Sequence, residues 1–396
     1  MGDISTPRAA APTPGDCLAL IRSGRATTRS ELGRATGLSR TAVTARVNAL
    51  ARAGLLVEAA ETATGGRPAG TLRLAEQAGV VLAAAVGRSR TQLAACTLGG
   101  TLLATADLDQ EVGEHPDQLM PRVGDRLADL LHETGHGTDR VRGAGVSIPG
   151  TVDTAAGASL DSPVMARWAG VPLAPYLDRF AAPVFVDNDA NVMALSERAH
   201  VGGQLARFSD VLLIKASTGI GAGVVLDGAL RRGGLGAAGE LGHTKVTAAA
   251  ERPCRCGETG CLEAVAGGWA LVQVMREHGH PVGHVRDVVA LASSGDPAAR
   301  QLVRESGRHV GEVVAAAVNL LNPQAVVVGG DMAAAFDTFV AGLRESVYAQ
   351  ATALASRDLQ VVAATHGERT GVVGCAALAL DHVLGVAAVD ALVAAG

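Results

Sequence analysis

Between residues 16 and 75 the apolar positions recur at helical spacing and then switch to strict alternation. Asp16–Ser23 reads as a short helix. A second helix begins at Ser30, with Thr28 to Ser30 as candidate caps, and buries Leu32. Gly37 breaks it. Ser39 caps a third helix that ends before Gly54, and Val43, Val47 and Leu50 form its buried stripe at i, i+4 and i+7. That phase turns Thr41, Thr44, Ala45, Asn48 and Arg52 outward, flanked by Arg40 and Arg46. Leu55-Leu56-Val57 and Leu72-Arg73-Leu74 alternate and pair as a hairpin around Thr64-Gly65-Gly66-Arg67-Pro68.

From Val80 the pattern becomes strands and helices with glycine-rich turns. Val80–Val86, Leu93–Leu98 and Leu102–Ala106 predict a β-meander, and Pro121–His132 a helix. Ala144–Ile148 is an apolar strand ending at Pro149-Gly150. Val184–Val186 delivers Asp187-Asn188-Asp189-Ala190-Asn191 at its carboxyl end, ahead of a helix through Glu197. Val211–Ile214 and Gly223–Leu226 flank Ser217-Thr218-Gly219-Ile220-Gly221-Ala222-Gly223, and Ala325–Val328 ends in Gly329-Gly330-Asp331. This alternation predicts an α/β fold that binds a ligand in an interlobe cleft.

Composition narrows the picture. A chain of 396 residues accommodates two or three domains, and 48% hydrophobic against 18% charged residues excludes a disordered polymer. Aromatics at 2% leave the core to Ala, Val and Leu and argue against an aromatic-platform RNA binder. No apolar run reaches the ~18 residues of a membrane span, and Met1 to Pro14 lacks the apolar segment of a secretory signal. A cytoplasmic protein with no membrane partner is expected. Residues 1–75 carry ten Arg against five acidic residues, while the remainder carries 24 basic and 34 acidic. A basic head on an acidic body points the head at nucleic acid. Lys215 and Lys245 are the only lysines among the 34 basic residues, which reads as the bias of a GC-rich genome.

The head has the parts of a winged helix-turn-helix. Ser39, Arg40, Thr41, Thr44, Arg46 and Asn48 are candidate contacts to a major groove and its phosphates. Arg67, at the tip of a Gly/Pro loop, suits a narrow minor groove as the wing. Farther on, Cys254, Cys256 and Cys261 offer three soft thiolates from one turn-rich loop, and His243 lies eleven residues upstream. In a cytosolic chain such a cluster reads as metal ligation before it reads as disulfides; a tetrahedral zinc needs a fourth ligand, and a closed site of four protein ligands is structural. Glu240 and His243, at i, i+3, can face one side.

Five segments of the body together resemble the ROK family, which groups bacterial repressors with sugar kinases: Gly145-Val146-Ser147-Ile148-Pro149-Gly150, Asp187–Asn191, Ser217–Gly223, Gly239-Glu240-Leu241-Gly242-His243, and Cys254-Arg255-Cys256-Gly257-Glu258-Thr259-Gly260-Cys261-Leu262-Glu263. The resemblance runs from about Val80 to Leu384. It implies a two-lobe, actin-like (ribonuclease-H-like) sugar-kinase fold behind the winged head. On that fold the chain divides into a tail (1–15), the winged helix-turn-helix (16–75), a small lobe (76–187, with a helix at 370–396 returning to it) and a large lobe with the zinc loop (188–369). The resemblance assigns the fourth zinc position to His243 and places Asn188, Asp189, Glu240, His243 and Glu263 around a monosaccharide.

In the kinases of this family Asp189 would be the general base. The family's first phosphate loop, Asp-x-Gly-Gly-Thr, aligns on Gly87-Arg88-Ser89-Arg90-Thr91. The aspartate has become Gly87 and the two glycines Ser89 and Arg90. Backbone N–H approach to phosphates and magnesium ligation are both lost, so ATP and magnesium are not expected and Asp189 is vestigial. The expected protein is a sugar-responsive, DNA-binding regulator, a homodimer or homotetramer on a double-stranded operator with a monosaccharide effector. An ATP-dependent sugar kinase with an added DNA-binding head is the alternative.

Overall fold

The computed structural model describes residues 11–59, 70–161 and 163–395. Three helices, α1 (Pro14–Arg22), α2 (Arg29–Thr36) and α3 (Arg40–Arg52), precede an antiparallel hairpin of β1 (Leu56–Ala59) and β2 (Thr71–Leu74). α1 starts two residues before the expected Asp16 because Thr13 caps it. Thr13 Oγ1 accepts from Asp16 N at 3.2 Å, and the Asp16 carboxylate accepts from Thr13 N at 2.8 Å. Thr28 and Glu31 make the same reciprocal pair and move the start of α2 to Arg29. Gly37 closes α2 in the left-handed region at φ 70°. Val43, Val47 and Leu50 are buried, whereas Thr41, Thr44, Ala45, Asn48 and Arg52 are exposed. Arg67 and its loop lie outside the described residues.

The body uses one sheet plan twice. Strands β3 (Val80–Val86), β4 (Arg90–Thr97) and β5 (Leu102–Asp109) lead to helix α4 (Pro116–Glu133) and strand β6 (Val141–Ile148). A small hairpin, β7 (Thr151–Asp153) and β8 (Ala158–Asp161), precedes β9 (Val184–Asn188), which runs into α5 (Asp189–Leu195). The first sheet has the order β5-β4-β3-β6-β9. The second unit comprises β10 (Val211–Ala216), β11 (Ile220–Leu226), β12 (Ala229–Arg231), helices α6 (Glu263–Ala266), α7 (Gly268–Glu277), α8 (Val285–Ser294) and α9 (Pro297–Leu321), then β13 (Ala325–Gly329), α10 (Phe336–Gln350), α11 (Ala353–Ser356) and β14 (Gln360–Ala363). Its order, β12-β11-β10-β13-β14, repeats the first. In both sheets the central first strand pairs antiparallel with its hairpin partner and parallel with the next crossover strand. Two such sheets facing a cleft form the actin-like, two-lobe α/β fold.

Helix α4 begins five residues before the expected Pro121. Pro116 occupies its first turn, and Pro121 removes one backbone donor without ending the helix. The buried stripe Leu119, Met120, Val123, Leu127 and Leu130 holds it to the sheet across that gap.

The chain ends in α12 (Thr370–Val383) and α13 (Val386–Ala395). α12 packs on β3, β6 and α5, and it is buried from Val372 through Leu380. Glycines allow this contact: a Cβ at Gly374 would fall 1.9 Å from Val192 O, and one at Gly145 would fall 1.9 Å from Cys375 O. The head docks on the same pair of helices. Gly15 N donates to Asp390 Oδ1 at 2.8 Å, and one apolar cluster runs from Leu18 and Ile21 through Val389 and Leu384 to Val372 and Val81. No single helix among the described residues is long and apolar enough to cross a membrane.

Gly374→Ala is expected to destabilise the protein by about 2–4 kcal/mol, because backbone rather than a side-chain tip meets the new methyl. A thermal midpoint within a degree of wild type would contradict this packing.

A second test concerns the head–body junction. His200 sits beside Asp381, Arg22 and Arg198, and burial lowers its pKa from 6.5 to about 4. The unfolded chain takes its proton near 6.5 and the folded chain near 4, so this contribution is intact above pH 6.5 and is lost as pH falls toward 4. His200→Gln should therefore flatten the acid branch of the stability–pH curve by about 1–3 kcal/mol relative to wild type, read by denaturant titration from pH 7 to pH 4.

Candidate functional site

The carboxyl ends of the parallel strands converge on a cavity of about 840 Å³. Gly87, Arg88 and Ser89 follow β3, Pro149 and Gly150 follow β6, and Asn188 and Asp189 follow β9. From the second sheet, Lys215 and Ser217 end β10, and Gly330 and Asp331 follow β13. Crossover connections leave such a crevice at strand ends.

Asn188 caps α5: its Oδ1 accepts from Ala190 N at 2.8 Å and its Nδ2 donates to Gly150 O at 2.9 Å. Behind it Asp187 is buried. Asp187 Oδ1 accepts from Asn188 N at 2.8 Å, and Oδ2 accepts from Arg232 Nε at 2.7 Å, which ties the two sheets together beneath the cavity. Asp189 is paired with the Lys215 ammonium. Lys215 was invisible to the sequence reading, which absorbed it into compositional bias. The available signal was a lone cation inside an otherwise apolar strand.

Glu263 opens α6, and both its carboxylate oxygens are engaged. Oε2 accepts from Ile220 N at 2.9 Å and Oε1 from Trp269 Nε1 at 3.1 Å. It thus holds the Ser217–Gly223 turn, where a Cβ at Gly219 would come within 2.5 Å of Glu263 Oε2. Glu240 lies opposite. Burial raises its pKa, partly offset by His243, whose Nε2 stands 3.8 Å from Glu240 Oε2. Asn188, Asp189, Glu240, His243 and Glu263 all line the one cavity.

The other ring nitrogen of His243 faces the cysteines. Nδ1 lies 3.9 Å from Cys254 Sγ, and Cys256 Sγ lies 3.7 Å from Cys261 Sγ. All four ligand atoms fall within 4.8 Å of one another. Two sulfurs on one tetrahedral metal at about 2.3 Å stand roughly 3.7 Å apart, so the cluster has the size to hold a metal ion. Burial pushes the Cys254 thiol up to about 12 and raises Cys261 as well, a cost that a bound cation would offset. Lys245 Nζ sits 3.4 Å from Cys261 Sγ.

A profile of the ROK family matches residues 81–382, and one for winged helix-turn-helix DNA-binding modules matches residues 18–57. The chain belongs to the ROK family. The Xylose repressor of Caldicellulosiruptor bescii is 25% identical over 383 residues, covering 93% of this chain and 95% of that protein. A solved ROK family transcriptional regulator, a homolog of the Escherichia coli Mlc protein, superposes with a TM-score of 0.79 at 26% identity over 97% of this chain and 98% of its own. A ROK glucokinase from Streptomyces griseus, solved with glucose and AMPPNP, gives a TM-score of 0.64 at 28% identity over 75% of this chain and 98% of its own.

Within this ROK protein the first loop is a tight hairpin. Gly87 N donates to Arg90 O at 3.0 Å, and Gln110 Nε2 donates to Gly87 O at 2.8 Å. A Cβ at Gly87 would meet Arg90 O at 2.6 Å, so an aspartate does not fit there without reshaping the turn. Of the head residues, Ser39 caps α3 by accepting from Ala42 N at 3.2 Å. Arg40, Thr41, Thr44 and Asn48 are exposed on α3. Arg46 is half-buried, its Nε donating to Pro12 O and a terminal nitrogen to Ala42 O at 3.1 Å.

Purified protein should carry about one divalent metal per chain. Cys256→Ser should release it and lower the thermal midpoint, with elemental analysis and calorimetry as readouts. Wild-type protein that is folded and metal-free would refute the assignment of His243, Cys254, Cys256 and Cys261 as ligands.

Proposed function

We propose that this ROK protein is a transcriptional repressor whose grip on double-stranded DNA is set by a monosaccharide in the interlobe cavity. The carrying observation is the path of α12. Its first residues, Thr370 and Gly371, line the cavity, and the helices at its other end hold the DNA-binding head. A ligand that alters the angle between the sheets acts on α12 and so on α1, which is the kind of two-state coupling that shifts affinity by about 1–3 kcal/mol.

In this reading zinc fills the Cys3His cluster and is structural, since four protein ligands leave no open position. It fixes His243 so that Nε2 faces the sugar, and the metal loop carries Glu263 into place. Asn188, Asp189, Glu240, His243 and Glu263 supply the mixed donors and acceptors that vicinal hydroxyls need. Thr41, Thr44 and Asn48 read base edges from the exposed face of α3, with Arg40 on phosphates and Arg67 in the wing. Ser39 acts as the cap that orients the helix, and the environment of Arg46 gives it a bracing part beside any phosphate contact. Two heads in a homodimer would read a pseudo-palindromic site.

Catalysis is absent in this reading. The Arg90-closed turn leaves no carboxylate for magnesium, and Lys215 competes for the lone pairs of Asp189 that a base would need.

The test begins with sites recovered by genome-wide binding of the full-length protein. Thr44→Glu and Asn48→Ala should weaken those sites at least tenfold without changing the thermal midpoint. Glu263→Ala should remove the sugar response while DNA binding without sugar stays near wild type. A coupled ATP assay over hexoses, pentoses and N-acetylhexosamines should stay far below the roughly 1–100 per second of kinases. Turnover within that range would make the chain a sugar kinase instead.

A further inference from the structure

The cavity is lined by a cation that no carboxylate among the described residues pairs with. Arg88 stands at the tip of the β3–β4 turn and lines the cavity. Its Nε is buried without a hydrogen-bond partner, and no carboxylate among the described residues pairs with its guanidinium. Arg88 is half-buried and its guanidinium stays charged, so the unpartnered Nε is a donor that a ligand in the cavity can complete. The charges that face it come from the opposite wall, Arg255 and Glu263. Arg255 is itself engaged with the Trp269 ring, 4.6 Å away. Glu263 has already committed both oxygens to Ile220 N and Trp269 Nε1. Burial and Arg255 both work against the charge of Arg88, with Glu263 opposing them.

A second, independent feature lines the same cavity at the end of β9, a strand of the same sheet as β3. Asp189, which would repel any anion entering beside it, is neutralised by Lys215. Around Arg88 two arginines, Arg88 and Arg255, face one carboxylate, Glu263, and Asp189 is paired with Lys215, which leaves a place for negative charge beside Arg88.

We infer that the effector is an acidic monosaccharide, a sugar bearing a phosphate or carboxylate group, with Arg88 as the counter-ion of that group and Lys215 shielding it from Asp189. This deepens the effector reading of the cavity and rests on it. The planar fork of a guanidinium matches two oxygens of a phosphate or carboxylate at once, so recognition is by geometry as well as charge. The Arg88 turn then acts as a clasp: the anion links the first sheet, through Arg88, to Arg255 on the opposite wall.

The experiment uses full-length, metal-loaded protein with its recovered DNA site. Calorimetry and DNA release are measured for neutral hexoses, pentoses and N-acetylhexosamines, each beside its 6-phosphate or uronic acid where one exists, and for inorganic phosphate and magnesium ATP alone. The expected result is one acidic sugar binding at least tenfold more tightly than its neutral parent and releasing DNA at correspondingly lower concentration. Arg88→Ala should erase that advantage, Arg88→Lys should keep part of it, and neither should alter metal content. The thermal midpoint of Arg88→Ala should stay near wild type without ligand, because no carboxylate among the described residues pairs with Arg88. A neutral sugar that binds as well as its acidic counterpart, or an acidic preference that survives Arg88→Ala, would overturn the inference alone. Binding of inorganic phosphate or magnesium ATP as tight as that of any acidic sugar would assign the charge to a different ligand and overturn it too. Failure of every sugar, neutral or acidic, to bind or to release DNA would bring down the effector reading together with the inference.

Discussion

The architecture depends on the close seating of one apolar helix. α12 lies against the first sheet and α5 at backbone distance, which requires Gly145 under Cys375 O and Gly374 over Val192 O. Any side chain at either position would push α12 away and with it the docking surface for the head. Because α12 is buried from Val372 through Leu380, its position cannot vary smoothly. Packed interiors transmit displacement rather than absorb it. The cavity at one end of this helix and the DNA-binding head at the other are therefore mechanically joined.

The cavity shows how a catalytic plan can be kept in outline and changed in its charges. The strand ends still converge, Asn188 still caps α5, and Glu263 still braces the Ser217–Gly223 turn. The changes are local and electrostatic. The loop after β3 is a tight turn, Arg88 Nε is buried without a partner, and Lys215 sits on Asp189. In the proposed reading each weakens phosphoryl transfer, because positioning and charge neutralisation carry most of that reaction.

The candidate metal cluster and the proposed sugar wall share one residue. His243 turns Nδ1 to the cysteines and Nε2 to Glu240, so the loop that would carry the ion also aligns a face of the cavity. A site of this kind needs no part in chemistry to matter for function, since loss of the ion would release His243 and Glu263 together.

Much of this was readable from residues alone. Periodicity located the three head helices, and the Ser39 cap and the stripe Val43, Val47 and Leu50 set the face of α3, because caps and burial period act over a few residues. The Cys254–Cys261 spacing marked the metal loop for the same reason. Local signals were weaker at helix starts: Pro121 read as one although a longer apolar stripe carries α4 across it, and the cap at Thr13 starts α1 two residues before Asp16. What local chemistry could not contain was pairing between distant segments. The Lys215–Asp189 pair, the Asp187–Arg232 link and the docking of Gly15 on Asp390 join residues 26, 45 and 375 positions apart. The sequence by itself determined the elements, the family and the ligand set for a metal. Only the tertiary structure decided which charges in the cavity are cancelled and that the cavity and the head share a helix, because a charge's partner is set by where the chain returns in space.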